Sequence, residues 1–342
     1  MERLVDVLVV GAGPVGLAAA IEARLRGLTA TIIEPRHSAI DKACGEGLMP
    51  GALPALARLG VDPPGFDLLG VSYRSAGRRV DHLFASGAGR GVRRTALHDA
   101  LAERARSLGV IMVCGKVDAL QQDSQSVTAG GIRARYLVAA DGLHSTVRRL
   151  TGLERPVAAR GRRYGVRRHF HVEPQTDLIE VYWTPTAEAY VTPVGDGVVG
   201  IAMLGRQGLD FEAALAGIPA LASLVKGAEP ASALRGAGPF RQSTTRRSLG
   251  RVLLVGDASG YVDAITGEGI RVGLAQAEAA IASVSQDAPQ GYERAWRRRT
   301  RDFRMLTAGL VAAANSPVRS AIVPAAVALP RVFGGVVERL AR

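Results

Sequence analysis

Three glycines near the start of the chain have the spacing of a phosphate-binding loop. Gly11, Gly13 and Gly16 form a G-x-G-x-x-G motif with Pro14 inside it. An apolar, β-branched run over residues 5–10 precedes the motif and an Ala- and Leu-rich stretch follows it, which predicts strand, turn and helix. Glycines in this context permit the tight turn, the close approach of a pyrophosphate and the packing of helix on strand. The motif therefore predicts a dinucleotide site.

An acidic residue ends the next predicted strand, Ala30 to Ile33. Glu34 follows Gly16 by 18 residues. An acid at this position accepts the ribose hydroxyls of an adenosine that lacks a 2′-phosphate. On these residues alone, NAD and FAD both remain open as the ligand.

A second motif follows a buried-type strand predicted over residues 135–140. The segment Asp141 to Arg148 has the pattern D-G-x-x-S-x-x-R. Ser145 is of a residue type that caps helices, and it precedes a short predicted helix. The aspartate is therefore expected at the end of a strand, near the glycine-rich loop.

A third motif lies late in the chain. Gly256-Asp257 ends a predicted strand over residues 252–255, and Gly267-Glu268-Gly269 precedes a helical pattern that runs to about residue 285. The helix N-terminus would point amide donors at an electron-rich ring edge. Asp257 could hold a sugar-like hydroxyl chain.

Together these three motifs resemble those of the flavoprotein hydroxylase superfamily, which has the p-hydroxybenzoate hydroxylase fold, over nearly the whole chain. The resemblance implies that Asp257 binds the ribityl chain of FAD and that residues 267–269 lie against the flavin pyrimidine edge. It also matches Arg94 in Arg94-Thr95-Ala96-Leu97 to a flavin contact, with Arg93 as the alternative if the register differs by one. The cofactor-binding residues that it implies are Gly11, Gly13, Pro14, Gly16, Glu34, Arg36, Cys44, Gly45, Arg94, Asp141, Gly142, Gly256, Asp257, Gly267, Glu268 and Gly269.

The segment Lys42-Ala43-Cys44-Gly45-Glu46-Gly47 resembles a Lys-Pro-Cys-Gly segment of the geranylgeranyl reductase branch, which lies beside the isoalloxazine ring. Cys44 is the one candidate catalytic residue. It could be a small filler, a redox-active thiol or a covalent attachment point. Its glycine neighbours favour a loop that passes over the ring face, so FAD is expected to bind non-covalently.

The substrate pocket departs from those reductases. They have a Tyr-x-Trp-x-Phe-Pro motif, and here the matching positions are Glu188, Tyr190, Thr192 and Pro193. Only the proline is retained, so a shorter and more polar cavity is expected. Tyr182, Tyr190 and Pro193 are the candidate pocket residues.

Histidine and cysteine supply few other candidates. His169 and His171 alternate along one predicted strand, and a solvated face is favoured for them over a substrate-lining one. Cys114 follows an apolar run and is expected in the core. Since no H-x-x-x-H or C-x-x-C pair occurs, no metal is expected. A hydrolase is disfavoured because there is no G-x-S-x-G elbow.

Composition narrows the class of protein. The 342 residues are 47% hydrophobic and 22% charged, which predicts a large folded core. The net charge of +12 comes almost wholly from scattered arginines without interleaved aromatic residues, so no nucleic-acid partner is expected. The start MERLVDVLVVGAG lacks the features of a secretory signal and no apolar run approaches membrane length. A cytoplasmic protein is expected.

These elements predict an α/β fold. It would comprise a Rossmann-like FAD-binding domain, an inserted antiparallel-sheet substrate domain and a helical C-terminus. The expected FAD-binding domain is discontinuous, over residues 1–69, 94–160 and 242–286; the substrate domain would span 70–93 and 161–241, and the C-terminal helices 287–342. The apolar end, 322–340, is expected to cap the fold, with a peripheral membrane contact as the less favoured alternative.

Two functions follow from the resemblance. The first is an NAD(P)H-using monooxygenase that hydroxylates a hydrophobic small molecule, favoured because the tunnel aromatics are missing. The alternative is a flavin-dependent reductase or dehydrogenase of a prenyl or other lipid. A second nucleotide fingerprint is absent, so NAD(P)H is expected to bind only transiently. A non-catalytic flavin- or nucleic-acid-binding protein is least favoured, and the oligomeric state is left unassigned.

Overall fold

The computed structural model describes residues 4–36, 41–158 and 162–342; residue 161, where the expected second substrate segment begins, lies outside them. The strands are β1 Val5–Val10, β2 Ala30–Glu34, β3 Gly47–Leu48, β4 Phe66–Leu68, β5 Gly70–Ser75, β6 Arg78–Leu83, β7 Gly89–Gly91, β8 Ile111–Cys114, β9 Leu120–Gln122, β10 Val127–Ala129, β11 Ile132–Ala139, β12 Glu154–Arg155, β13 Arg163–His171, β14 Leu178–Trp183, β15 Ala187–Gly195, β16 Val198–Arg206, β17 Arg235–Ala237, β18 Ser243–Thr244, β19 Ser248–Leu249 and β20 Val252–Leu254. The helices are α1 Pro14–Leu25, α2 Ala52–Arg58, α3 Arg94–Ser107, α4 Thr146–Leu150, α5 Phe211–Ala216, α6 Pro219–Leu224, α7 Gly269–Ser285, α8 Gly291–Ala314, α9 Ile322–Ala328 and α10 Pro330–Ala341.

One sheet is built on parallel strands. Its order is β19-β20-β11-β1-β2-β8; β10 pairs antiparallel with β11, and β9 pairs antiparallel with β10. The central strands are rich in Val, Leu and Ile and are almost fully buried, as expected for a parallel sheet covered on both faces. Helices α1, α3 and α7 pack together over the apolar residues of one face.

The register brings the carboxyl ends of four strands to one edge of this sheet. Val10 pairs with Ile33 on one side and Ala139 on the other, and Ala139 pairs with Leu254. The residues that follow these strands therefore meet there, and ligands of open α/β sheets bind at such edges.

The second large sheet has the order β17-β13-β16-β15-β14-β5-β6. All pairs are antiparallel except β14 with β5. The hairpin β5–β6 belongs to this sheet although it lies far from the other strands in sequence. Direct pairing partners across one row are Tyr73, Val181, Tyr190, Ala202 and Arg167.

Helices form the C-terminal part, where α10 packs against β6 and α9. No single helix of the described residues is long and apolar enough to cross a membrane; α8 together with the segment Pro317–Ala328 meets that criterion only as a pair bent by 101°. The expected fold class is confirmed: an α/β nucleotide-type layer, a largely antiparallel second sheet and a helical end.

The strand containing Cys114 differs from expectation. β8 is the edge strand of the parallel sheet and all four of its residues are exposed. The prediction that Cys114 lies in the core is wrong, because an apolar run does not reveal whether its strand is central or at an edge.

Candidate active site

The glycine-rich loop has the backbone that its sequence predicts. Gly11 has a φ of +99°, and a Cβ there would lie 2.7 Å from the carbonyl oxygen of Ala140. At Gly16 a Cβ would lie 1.9 Å from the carbonyl oxygen of Gly11, so helix and strand can approach this closely only without side chains. Helix α1 begins at Pro14, so its free N–H groups face the space beyond the loop.

Glu34 is tied to this loop. Its Oε2 accepts a hydrogen bond of 2.9 Å from the Ala12 amide, and its Oε1 accepts one of 2.7 Å from Arg36 Nε. Burial alone would raise the pKa of Glu34, but these bonds lower it below its ordinary value. The carboxylate is thus ionised and held at the strand end, ready to accept hydroxyl donors.

Arg94, the first residue of α3, supplies a buried positive charge. Its Nη1 makes no hydrogen bond among the described residues. A Cβ on Gly13 would lie 3.8 Å from its Nη2, so the guanidinium faces the glycine-rich loop. Burial lowers the pKa of Arg94. Arg94 lines the main cavity and Arg93 does not, which favours the first of the two registers.

The D-G-x-x-S-x-x-R segment is fixed by its own side chains. Ser145 Oγ accepts a 2.9 Å bond from the Arg148 amide and caps α4, as predicted. Arg148 is 1% exposed, and its Nη2 donates to the Leu143 carbonyl at 2.8 Å. Asp141 Oδ2 accepts from the Val147 amide at 3.0 Å, whereas Oδ1 has no partner among the described residues. Burial raises the pKa of Asp141.

The third motif faces the loop of Cys44. Asp257 Oδ2 lies 3.5 Å from Lys42 Nζ, and both residues line the cavity with Gly256, Gly267 and Gly269. Glu268 points elsewhere: its carboxylate is buried against Arg271 and is not part of the cavity lining. Burial raises the pKa of Glu268 to about 7.

Cys44 lies in the cavity wall but is not an activated thiol. Burial raises the pKa of Cys44, and the positive charge of Arg94 offsets only part of that effect. The sulfur accepts a hydrogen bond from the Glu46 amide at 3.4 Å. Thiolates carry the reactivity of cysteine, so a nucleophilic or covalent role is disfavoured.

We expect Cys44 to make no bond to flavin and to react slowly with iodoacetamide at pH 7.5 in the folded protein. Acid precipitation should leave a colourless pellet and all of the FAD in the supernatant. A yellow pellet, with a flavin-sized mass increase on the Cys44 peptide, would contradict this expectation.

One continuous cavity of about 1090 Å³ joins these motifs to the second sheet. Pockets for a single drug-sized ligand have about 300–1,000 Å³, so it has room for more than one such ligand. One face of the sheet forms its far wall, and α10 adds Val337 and Leu340. The apolar and aromatic wall residues are Met49, Val71, Tyr73, Ile179, Val181, Tyr190, Ala202, Leu204, Phe240, Tyr261, Ala264 and Ile265.

Of the three expected pocket residues, only Tyr190 lines this cavity. Tyr182 alternates to the opposite face of the sheet, where its hydroxyl donates to Glu180 Oε2 at 2.7 Å. Pro193 lies outside the cavity lining, and its carbonyl oxygen abuts Gly91. Strand alternation reveals which residues share a face, but not which face meets the cavity.

Glu188 also differs from expectation. It is completely buried and pairs with Arg163 at 2.5 Å and Arg319 at 2.6 Å. The prediction that this residue makes the cavity more polar is wrong, because its charge is neutralised outside the lining.

Two tyrosines that sequence reasoning missed reach the cavity. The Tyr73 and Tyr261 hydroxyls make no hydrogen bond among the described residues, whereas the Tyr190 hydroxyl donates to the Ile265 carbonyl at 2.8 Å. Burial raises the pKa of Tyr73 to about 12 and that of Tyr261 well above its ordinary value. Both therefore remain protonated donors. The alternation of Val71 and Tyr73 in the predicted hairpin is the signal that could have revealed Tyr73.

The cavity fits FAD at its glycine-lined end. An added Cβ at Gly45, Gly142 or Gly267 would meet no atom within 4 Å, so these backbones open onto the cavity that they line. The unpartnered Arg94 Nη1 suits an anionic pyrophosphate, and the free Asp141 Oδ1 is placed to accept a donor. In the described ranges no cluster of three or more metal-ligating His, Cys, Asp or Glu occurs; the absence of a metal stays a prediction.

Comparisons with known proteins agree with this arrangement. A family model described as FAD binding domain matches residues 4–194. The chain is 28% identical to a menaquinone reductase of Mycolicibacterium smegmatis, over 86% of this chain and 80% of that protein. It is 27% identical to a digeranylgeranylglycerophospholipid reductase of Methanosarcina acetivorans, over 88% and 82% of the two chains. A rifampicin monooxygenase of Streptomyces venezuelae is 32% identical over 44% of this chain and 34% of its own length.

Solved structures share the fold. A flavoprotein/dehydrogenase from Cytophaga hutchinsonii superposes with a TM-score of 0.84 at 20% identity, covering 98% of this chain and 92% of that one. A geranylgeranyl bacteriochlorophyll reductase-like protein from Thermoplasma acidophilum gives 0.76 at 21% identity, over 91% and 88%.

Proposed function

Since the chain belongs to the FAD binding domain family and is an FAD-dependent oxidoreductase, we propose that it reduces a carbon–carbon double bond of a prenyl lipid or a similarly apolar molecule. The observation that carries this proposal is the extent of the similarity. The match to the two reductases covers 86% and 88% of the chain and so includes most of the cavity-forming sheet. The match to the monooxygenase covers 44%.

The character of the cavity supports an apolar substrate. Its far wall is mainly Val, Ile, Leu, Met and aromatic side chains, with Arg167 and Thr192 as the polar residues of the same sheet. Glu188, whose presence favoured a polar pocket and hence hydroxylation, is held away from it by Arg163 and Arg319. The charge of Glu188 therefore does not favour hydroxylation over reduction.

The chain's own residues would bind and orient both partners. Bound FAD would supply a hydride for one alkene carbon, with NAD(P)H or another two-electron donor as the source of its electrons. The second alkene carbon needs a proton. We assign that proton to the Tyr261 hydroxyl, because Tyr261 lines the cavity with Asp257 and Cys44 and a Cβ on Gly269 would lie 3.5 Å from its hydroxyl, which places that hydroxyl at the cofactor end. The Tyr73 ring packs against the rings of Phe333 and Trp183, and its hydroxyl would hold a polar part of the substrate.

Hydroxylation remains the second candidate. The similarity to rifampicin monooxygenase reaches 32% identity, and oxygen activation by flavin needs no acid–base pair from the protein. NAD(P)H as transient reductant is common to both functions.

Anaerobic turnover distinguishes reduction of a double bond from hydroxylation. The FAD-loaded protein is reduced with one equivalent of dithionite and mixed, without O2, with menaquinone or digeranylgeranylglycerophospholipid. We expect flavin reoxidation and a product two mass units heavier, with two electrons and two protons taken up per flavin. The added mass should remain after exposure of the extracted lipid to air, because a quinol formed on the menaquinone ring would return to the quinone whereas a reduced double bond would not. Reoxidation that requires O2 and adds one oxygen atom to the product would replace the proposal by hydroxylation. A reduced flavin that neither lipid reoxidises would refute reduction of these lipids.

The expectations for location stay predictions. A contact with a membrane surface would use the outward side of α10, where Val332 is 61% and Val336 40% exposed and Arg339 lies one turn farther on. A cytoplasmic location is likewise an expectation from the sequence.

A further inference from the structure

A buried polar cluster joins the Cys44 loop to the second sheet. Glu46 lies between Gly45 and Gly47 with a φ of +60°, and its side chain is 1% exposed. Its Oε2 is in hydrogen-bond contact with His169 Nε2, and the His169 side chain is also 1% exposed. The expectation that His169 and His171 share a solvated face is wrong for His169, because the loop covers that end of β13; His171 is exposed.

The surrounding donors fix the protonation of the imidazole. Arg167 Nη1 lies 3.1 Å from His169 Nδ1, and Ser232 Oγ lies 2.8 Å from the same nitrogen. A guanidinium can only donate, so Nδ1 must accept. The neutral imidazole then has its proton on Nε2 and donates it to the Glu46 carboxylate.

Glu46 transmits this contact to the cofactor end of the cavity. Its Oε1 accepts from the Arg94 amide at 2.7 Å, and its carbonyl accepts from the Val92 amide at 2.8 Å. Its own amide donates to Cys44 Sγ. One residue therefore sets the start of α3, where Arg94 faces the glycine-rich loop, and the position of the thiol.

The sheet holds the same loop at a second point. Arg167 Nη2 pairs with Asp41 and donates to the Lys42 carbonyl at 3.3 Å. Gly200, opposite His169 on β16, leaves room for the pair: a Cβ there would lie 3.3 Å from Glu46 Oε2.

We propose that Glu46 and His169 are positioning residues that hold the Cys44 loop and Arg94 against FAD, so that the substrate-binding sheet sets the geometry of the cofactor site. The proposal rests on the FAD site and is independent of the substrate. It requires a neutral His169 that donates to Glu46, oriented by Arg167.

The test compares four single variants of the full chain. His169→Gln retains an amide donor toward Glu46, whereas His169→Leu removes it. Glu46→Gln replaces one carboxylate oxygen by an NH2 group. That donor then faces a second donor, either the His169 Nε2–H or the Arg94 amide. His171→Gln is the matched control on the same strand, exposed and outside the cluster.

Two readouts are measured: FAD affinity, and the alkylation rate of Cys44 in the FAD-bound protein by peptide mass spectrometry. Exposed Cys114 serves as internal reference. For His169→Leu and Glu46→Gln we expect FAD affinity to fall at least about tenfold, since the buried Glu46 carboxylate loses a donor in the first variant and two buried donors face each other in the second. Cys44 alkylation should quicken relative to Cys114. His169→Gln and His171→Gln should stay within about threefold of the parent in both readouts, less than the effect of one lost buried hydrogen bond.

Equal FAD affinity and Cys44 reactivity in His169→Leu and the parent would overturn the proposal. It would also be overturned if His169→Gln were as impaired as His169→Leu, because packing rather than hydrogen bonding would then matter. If His169→Leu does not fold, Glu46→Gln is compared with His169→Gln. Weaker FAD binding and faster Cys44 alkylation in Glu46→Gln alone would support the proposal, and any other pattern would overturn it. Neither readout depends on which lipid is reduced, so failure here is distinct from failure of the proposed function.

Discussion

Replacing Arg94 by Met is expected to weaken FAD binding about ten- to a hundredfold while the apoprotein stays as stable as the parent or becomes more stable. Arg94 is 8% exposed and its Nη1 has no partner among the described residues. A hydrogen bond to a charged group contributes about 1.5–3 kcal/mol, and each 1.4 kcal/mol is about tenfold in affinity. A buried cation without a partner costs free energy in the absence of the ligand, so removing it spares the apoprotein that cost.

Titration of each apoprotein with FAD, together with thermal unfolding with and without FAD, measures both effects. Arg93→Met is the control, because Arg93 precedes Arg94 on the chain but does not line the cavity. An affinity loss in Arg93→Met and none in Arg94→Met would mean that the cofactor contact has been assigned to the wrong arginine.

Replacing Tyr261 by Phe is expected to slow substrate reduction about 10²- to 10⁴-fold, the contribution typical of a positioned general acid. Burial keeps the hydroxyl protonated, so the loss should appear at every pH from 6 to 9. The rate of flavin reoxidation by saturating lipid, measured anaerobically, should fall, while FAD affinity and the rate of flavin reduction by dithionite remain those of the parent.

Two further tyrosines serve as comparisons. Tyr73→Phe should raise the KM by roughly tenfold, the worth of one hydrogen bond, with kcat little changed, since we assign its hydroxyl to binding a polar part of the substrate. Tyr182→Phe should leave both constants unchanged because Tyr182 faces away from the cavity. A Tyr261→Phe protein with the parent's turnover would remove this hydroxyl from the mechanism, and an equal loss of kcat in Tyr73→Phe would transfer the role to that residue.

Several parts of the site were predictable because they are local in sequence. The G-x-G-x-x-G loop needs glycine for reasons of backbone geometry that the structure reproduces at Gly11 and Gly16. Ser145 caps α4 through a bond to the amide three residues on. Motifs that follow buried strands come together because parallel strands in register end at one edge.

Other parts depended on which surface each strand presents. Residues 182 and 190 lie on neighbouring antiparallel strands, and the alternation that groups residues by face does not say which group meets the cavity. The register makes Tyr190 the neighbour of Val181 and turns Tyr182 away. Tyr261 lies outside any strand or helix, so no periodicity could have marked it.

A dinucleotide site and an α/β fold could be predicted from the sequence because their motifs are encoded within a few neighbouring residues, and the resemblance of the three motifs to those of the flavoprotein hydroxylase superfamily favoured FAD over NAD. The environments of the charged and polar groups depended on contacts between residues that are distant in sequence. Glu46 and His169 are 123 residues apart and Glu188 and Arg319 are separated by more than a hundred, yet each pair is buried in contact. A charge buried without a partner is strongly unfavourable, so such partners must exist, but long-range packing selects which residues they are. That selection placed Glu188 outside the cavity lining and made His169, which was expected at the surface, a link between the second sheet and the Cys44 loop.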